Sequence, residues 1–338
     1  MDTLRITFLA ADAIALPVID YLHRLESVEL VGIITQPDRP AGRGKKMRKN
    51  PVTLWAEEQG VPILQPEKVG EAELAWIKEN KVDLNLVMAF GQLLKKNFLE
   101  GPVYGSYNFH VSILPAYRGT SPVASSIALG DKETGVTLMK MELKMDAGPI
   151  VDIEKVSIED SDTASSVNEK LSRACIALME KCLHHLCSED LKLVPQDETQ
   201  ASYVRKITKE DGALDFGQSA AVLEQRIRAF DGWPGSYIQQ GETRLKIGPA
   251  KVWETPDSGL KPGSVIGEED GYLLIQANPG ILAIEALQRP GGKLLPAPDF
   301  LRGYPMEHGS MLVFGSNEPL VSPKPFPWKK KIEEKPQD

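Results

Sequence analysis

The sequence predicts an α/β fold: a Rossmann-like parallel sheet in the first half, followed by a small β-barrel domain. Three observations carry this. Apolar strand-like runs alternate with helix-like stretches early in the chain, the pattern of a parallel sheet covered on both faces. A polar, irregular stretch interrupts the chain at residues 189–204. Beyond it, short strand-like runs recur between Gly and Pro turns, as in a small barrel.

In order, residues 4–10 read as a strand, 14–25 as a helix and 28–35 as a second strand. Residues 61–64 are a short strand, 71–80 a helix and 82–89 a strongly apolar strand. Residues 164–186 read as one long amphipathic helix capped by Asp162 or Thr163. Residues 219–230 form another helix, with short strands near Tyr237, Leu245, Val252, Val265, Leu273 and Leu282. Trp233-Pro234 reads as packing structure. From about Ser316 the chain is rich in Pro and Lys and reads as a loosely draped tail. The expected divisions are an α/β domain at 1–190, a linker at 191–206, a barrel domain at 207–312 and a tail at 313–338.

A chain of 338 residues, 42% hydrophobic and 25% charged, has the makings of a globular protein with a good core. No apolar run approaches bilayer length. The N-terminus enters a strand at once, leaving no room for a signal peptide, so a cytoplasmic location is expected. A monomer is expected too, though nothing in the sequence sets the oligomeric state. Cys175, Cys182 and Cys187 fall in one helical stretch, which argues against a disulfide framework. His184 and His185 lie beside them, but neighbours on a helix point about 100° apart and the spacings fit no common zinc pattern, so no metal is expected. The net charge of −8, from 39 basic and 47 acidic residues, excludes a generic nucleic-acid binder, so any RNA contact must come from local patches. There is no Gly-x-Gly-x-x-Gly after the first strand. Gly44-Lys45-Lys46 lacks the hydroxyl residue and second glycine of a phosphate loop, which argues against a dinucleotide or ATP enzyme.

The chemistry concentrates in residues 108–119. In a strand, Asn108 and His110 project from one face, setting an amide that donates two hydrogen bonds beside an imidazole. That pair can hold a carbonyl oxygen as it becomes an oxyanion and accept a proton. Asp146, in a turn between apolar runs at 135–141 and 149–153, is the third member, placed to fold back on His110 and fix its tautomer. A blander reading makes Asn108 a turn cap, His110 a core histidine and Asp146 an ordinary turn residue. Phe90-Gly91-Gln92 and the turn at 112–115 occupy carboxyl ends of strands, where such sheets bind ligands. Residues 35–50 carry Arg39, Arg43, Lys45, Lys46, Arg48 and Lys49 against Asp38 alone. With Pro37, Pro40, Gly42 and Gly44 the segment reads as irregular, either a solvated charge run or a seat for a polyanion.

Asn108-x-His110-x-Ser112-Ile113-Leu114-Pro115-x-Tyr117-Arg118-Gly119-x-Ser121-Pro122, with the Asp146 turn, resembles the folate-dependent formyltransferases. The likeness runs through Phe90-Gly91-Gln92, Lys206 and Trp233-Pro234 and fades after about Gly303. Within that family, the 35–46 loop points to those acting on methionyl-tRNA. The resemblance implies a formyltransferase domain and an OB-like, tRNA-binding barrel. It implies transfer of formyl from 10-formyltetrahydrofolate to the amine of methionyl-initiator tRNA, with Asn108, His110 and Asp146 catalytic. It also implies folate along Phe90, Gly91, Gln92, Leu93, Ser112, Ile113, Leu114 and Pro115, and tRNA at Arg39, Arg43, Lys45, Lys46 and Lys206. The pattern departs at residues 8–15, where Phe8-Leu9-Ala10-Ala11-Asp12-Ala13-Ile14-Ala15 replaces the family's Phe-x-Gly-Thr-Pro-x-Phe-Ala, and at Val111, where glycine is common. Altered acceptor affinity is therefore expected. The alternatives are a sister enzyme formylating a sugar-nucleotide amine, a formyltetrahydrofolate hydrolase, and a catalytically weak tRNA-binding homologue.

Overall fold

The computed structural model describes residues 3–41, 46–188, 190–255 and 257–327. The chain folds as two compact units. The first comprises Met1–Arg118, Glu133–Ser157 and Asn168–Ala201; the second comprises Gly119–Lys132, Ile158–Val167 and Ser202–Asp338.

The first unit is built on a seven-stranded sheet. Its spatial order is Ile150–Ser157, Glu133–Lys140, Ser106–His110, Leu84–Met88, Leu4–Ala10, Val28–Ile34, Ile63–Leu64. The last five of these run parallel; Glu133–Lys140 runs against them, antiparallel to both of its neighbours, so the sheet is mixed. The reason is the connection at 141–149. It is too short for the crossover of a dozen or more residues that a parallel pair needs, so the two strands it joins close as a hairpin. Ile6, Phe8, Leu9 and Ala10 are wholly buried on both faces of their strand, as a central parallel strand requires. The helix Ala164–Cys182 buries Val167, Leu171, Cys175 and Leu178 at helical spacing. Cys175 Sγ lies 3.9 Å from Met88 Sδ, which puts the helix against the sheet. Burial pushes the Cys175 thiol far up and those of Cys182 and Cys187 to about 11, so all three stay protonated. Thr163 caps this helix in a reciprocal bond pair with Ser166.

The chain steps from Leu4–Ala10 to one side and returns on the other at Leu84–Met88. The carboxyl ends of these two strands therefore flank the switch point where ligands bind in such sheets.

Two expectations change in this unit. The helix anticipated at 14–25 is a 3-10 turn, Ala13–Ala15, followed by the helix Leu16–His23 with Pro17 in its first turn. The basic segment is not irregular. Arg39–Ala41 and Lys46–Arg48 pair antiparallel, with Pro40 opposite Met47. A two-stranded ribbon has only edges, so a proline that cannot donate is tolerated there.

In the second unit, two four-stranded antiparallel sheets enclose a core that includes Phe216, Leu223, Leu245, Leu273, Leu282 and Ile284. One sheet runs Tyr237–Gln240, Thr243–Ile247, Ala286–Gln288, Leu295–Pro296. The other runs Ala250–Trp253, Ile281–Ile284, Tyr272–Gln276, Val265–Glu269. Ser219 caps the helix Ala220–Ala229 through Val222 N–H. Trp233, expected to pack, is 55% exposed. Residues 313–327 are not a loose tail. Phe314 sits edge-on to Phe216 at 5.7 Å, Leu320 is buried, and Val321–Ser322 pairs with Tyr203–Val204. Arg205 donates to the carbonyls of Glu318 and Pro319. A handful of apolar residues among the prolines is enough to anchor the segment. The lysines at 329–331 lie outside the described residues.

Candidate active site

Asn108 and His110 lie on one row of the strand Ser106–His110, while Tyr107 and Phe109 are buried on the other. The register pairs His110 with Thr137 and Asn108 with Met139. His110 Nε2 lies 2.9 Å from the carbonyl oxygen of Tyr117. A carbonyl only accepts, so Nε2 carries the proton and Nδ1 is left as the basic nitrogen. Nδ1 faces Asp146 Oδ2 at 3.8 Å, with both side chains largely buried. The tautomer is thus set by the Tyr117 backbone, and Asp146 lies beside the nitrogen that gains or loses a proton. Among the described residues the Asn108 amide has no hydrogen-bond partner, so both of its N–H groups are available to a ligand oxygen.

Of the described non-glycine residues at positive φ, Tyr117 and Asp146 (φ 62 and 50) lie at this site and Ala89 (φ 47) beside Phe90, while Lys81 and Asp270 lie in turns elsewhere. Such residues cost about 1–3 kcal/mol each and persist where their surroundings hold them. The Asp146 turn is held closely: a Cβ on Gly148 would lie 1.8 Å from the Lys140 carbonyl oxygen. Sequence reasoning missed two of its supports, Gln196 and Arg118. Gln196 Nε2 donates to the carbonyls of Asp146 and Gly148, and Arg118 is wholly buried behind it.

The segments expected to hold folate are placed as follows. Phe90 is buried, and its carbonyl accepts from Gln36. Gly91 has φ +78, and Leu93 is 71% exposed. The Gln92 amide is turned away to bond Val69 N–H and the Pro66 carbonyl. Thr137 Oγ1 donates to the Ser112 carbonyl and accepts from Leu114 N–H, which pins the Ser112–Ile113–Leu114–Pro115 turn to its neighbouring strand. Leu114–Pro115 is cis. The first loop closes on Asp12, whose carboxylate accepts from Ile14 N–H.

Of the expected tRNA contacts, Arg39 forks onto Glu67, and Lys46 is exposed without an ion-pair partner among the described residues. Arg43 and Lys45 lie outside the described residues. Lys206, in the second unit, is exposed. That unit also assembles a cationic pocket that the sequence did not disclose. A cavity of about 280 Å³ is lined by Ser236, Tyr237, Arg244, Lys246 and Arg289. Arg244 stacks over the Tyr237 ring at 4.8 Å, and none of the three cations has an ion-pair partner among the described residues. No group of three or more His, Cys, Asp or Glu among the described residues is arranged to hold a metal, and no helix there is long and apolar enough to cross a membrane.

Comparison with known proteins identifies the family. Residues 5–182 match the Formyl transferase family and residues 206–305 match Formyl transferase, C-terminal domain. A methionyl-tRNA formyltransferase of Bacillus velezensis is 37% identical over 91% of this chain and 97% of its own. One from Gluconobacter oxydans is 36% identical over 92% and 100%. Among solved structures, an N-formyltransferase from Helicobacter canadensis in complex with folinic acid and dTDP-3-aminofucose superposes with a TM-score of 0.61 at 19% identity, covering 86% of this chain and all of that one. HypX from Aquifex aeolicus in complex with tetrahydrofolic acid gives 0.60 at 16%, over 93% and 51%. At those identities the structures speak for the fold alone. Taken with the two family matches, the near-full-length identities establish that the chain belongs to the formyl transferase family, among the methionyl-tRNA formyltransferases.

Proposed function

We propose that the chain transfers the formyl group of 10-formyltetrahydrofolate to the amino group of methionyl-initiator tRNA, with Asn108, His110 and Asp146 performing the chemistry. The observation that carries the assignment is the unpartnered Asn108 amide on the same strand row as a histidine whose Nδ1 faces a carboxylate. Asn108 donates to the formyl oxygen as it gains negative charge. His110 presents Nδ1 as the proton acceptor, and Asp146 stabilises the imidazolium that results. The amine loses its ammonium proton to solvent before it attacks; as it bonds the formyl carbon this pair takes its second proton, and returns it to N10 of tetrahydrofolate as the carbon–N10 bond breaks and the folate departs.

The folate lies along Phe90 to Leu93 and the turn from Ser112 to Pro115, where main-chain groups read the pterin edges. Arg39, Arg43, Lys45 and Lys46 receive the acceptor arm, while Lys206 and an OB-like second domain carry the tRNA body. Arg244, Lys246 and Arg289 supply the local positive field there that the net charge of −8 denies globally. We place the catalytic domain at 1–190, the linker at 191–206 and the tRNA-binding domain at 207–312, in a cytoplasmic monomer.

The test is a transfer assay with purified protein, 10-formyltetrahydrofolate and methionyl-initiator tRNA, run beside Asn108→Ala and Asp146→Asn. Formyl-methionyl-tRNA formation lost in both variants supports the assignment. Transfer to a sugar-nucleotide amine in preference to methionyl-tRNA would overturn the acceptor.

A further inference from the structure

Residues 194–197, which read as part of a polar linker, lie along the Asp146 turn as an extended strap that ends at the 3-10 turn Glu198–Gln200. Three rungs descend in antiparallel order. Val194 and Ile150 exchange backbone hydrogen bonds at 2.8 Å. Gln196 Nε2 donates to the carbonyls of Gly148 and Asp146 at 2.8 and 2.9 Å. Glu198 takes Lys144 Nζ at 2.6 Å. Alternate residues, the last opening the 3-10 turn, thus address positions 150, 148/146 and 144 in turn.

The amide of Gln196 can sit only one way round. Its oxygen accepts from Arg118 Nε and NH2 at 3.1 and 2.8 Å, and a guanidinium offers only donors. Its nitrogen faces two carbonyls, which only accept. Arg118, with its side chain wholly buried, is neutralised by both oxygens of Glu198. The Arg118 and Lys144 cations hold the Glu198 carboxyl down at about 2, so the anchor stays ionised at any working pH. A buried, charge-paired arginine therefore fixes an amide, and the amide fixes the carbonyl of the strained Asp146 and that of Gly148 two residues on.

We infer that Gln196 is a positioning residue for formyl transfer, holding the Asp146 turn in the left-handed conformation that sets the carboxylate against His110. The inference rests on the proposed role of Asp146. Without both donors, the turn relaxes toward ordinary φ and the carboxylate leaves Nδ1, which affects the chemical step and not the binding of either substrate.

Gln196→Glu separates these effects. It keeps the size of the side chain and an acceptor for Arg118 but removes both donors. The full-length variant, checked by thermal melt, is assayed for kcat and for KM toward both substrates. The same change is then made in an Asp146→Asn background and followed in single turnover. The expected result is a kcat lowered tenfold or more, each KM within about twofold of wild type, and no further loss in the Asp146→Asn background. Gln196→Met, which lacks donor and acceptor alike, should show the same split even if its melting temperature falls. A folded Gln196→Glu enzyme with wild-type kcat would overturn the inference, as would losses that simply add to that of Asp146→Asn. Wild-type kcat in Asp146→Asn alone would instead sink the assignment of Asp146.

Discussion

Two loops of the first unit are built to opposite standards. The 141–149 turn is fixed at Gly148 by the Lys140 carbonyl, at Asp146 and Gly148 by Gln196, and at Lys144 by Glu198. Among the described residues, the basic ribbon strands Arg39–Ala41 and Lys46–Arg48 are held by the exposed Arg39–Glu67 pair and at their root, where Asn50 bonds the Gln36 carbonyl and caps the following helix through Val52 and Thr53. The difference fits the roles proposed for them. A carboxylate acting on one nitrogen has to be correct to a fraction of an ångström, whereas a cation drawing in a polyanion needs only to be near it. Geometry therefore governs the first loop and charge the second.

That contrast breaks most visibly at the chemistry. Asn108→Ala and Asp146→Asn should each lower kcat by about 10²–10³, the usual cost of losing one well-placed charge-stabilising group. Steady-state kinetics at saturating methionyl-tRNA checks this, and a kcat within threefold of wild type in either variant refutes that residue's role. Gly148→Ala should be nearly as damaging without touching a reacting atom, because its Cβ would meet the Lys140 carbonyl oxygen at 1.8 Å. Either the turn moves and kcat collapses, or the strand end moves and the melting temperature drops with it. Wild-type values of both would mean that the turn is not fixed as described.

The ribbon should respond in another currency. Lys46→Ala with Arg48→Ala ought to raise KM for methionyl-tRNA severalfold while kcat holds. It should also flatten the log–log dependence of kcat/KM on salt by about 0.7–0.9 for each phosphate no longer neutralised. The same measurement on Arg244→Ala, Lys246→Ala and Arg289→Ala tests whether the second unit holds the tRNA body. An unchanged salt slope would leave those cations without a polyanion.

The reach of sequence reasoning follows the same line. Asn108 and His110 were legible because two-residue spacing on a strand is a local property, and Asp146 because its turn is bounded by apolar runs. Gln196 was not legible: its partners are 48 and 50 residues away on one side and 78 on the other, and no periodicity records such a pairing. The cationic pocket was hidden for a related reason. Lys246 pairs with Gln288 across the sheet, which brings Arg289 beside Arg244 and Lys246 from more than forty residues away. The parallel part of the sheet is legible from apolar continuity, but the antiparallel hairpin at its edge is not, because apolar continuity reports burial on both faces and not strand direction. The ribbon was read as irregular because Pro and Gly forbid central strands but not a two-stranded edge pair.

The smallest expected effect concerns the first loop, where this chain departs furthest from the family pattern. Asp12 replaces the stiffness of a proline with a local bond to Ile14 N–H, and Ser172 secures the far side through the Ile14 carbonyl. An exposed cap of this kind contributes about 1 kcal/mol or less, so Asp12→Ala should barely move the melting temperature. Its informative readout is KM. The loop sits at the carboxyl end of Leu4–Ala10, one side of the switch point, so loosening it should raise KM for methionyl-tRNA a few-fold and leave KM for folate alone. If KM for folate rises instead, the loop faces the formyl donor, and the altered residues tune that substrate rather than the acceptor.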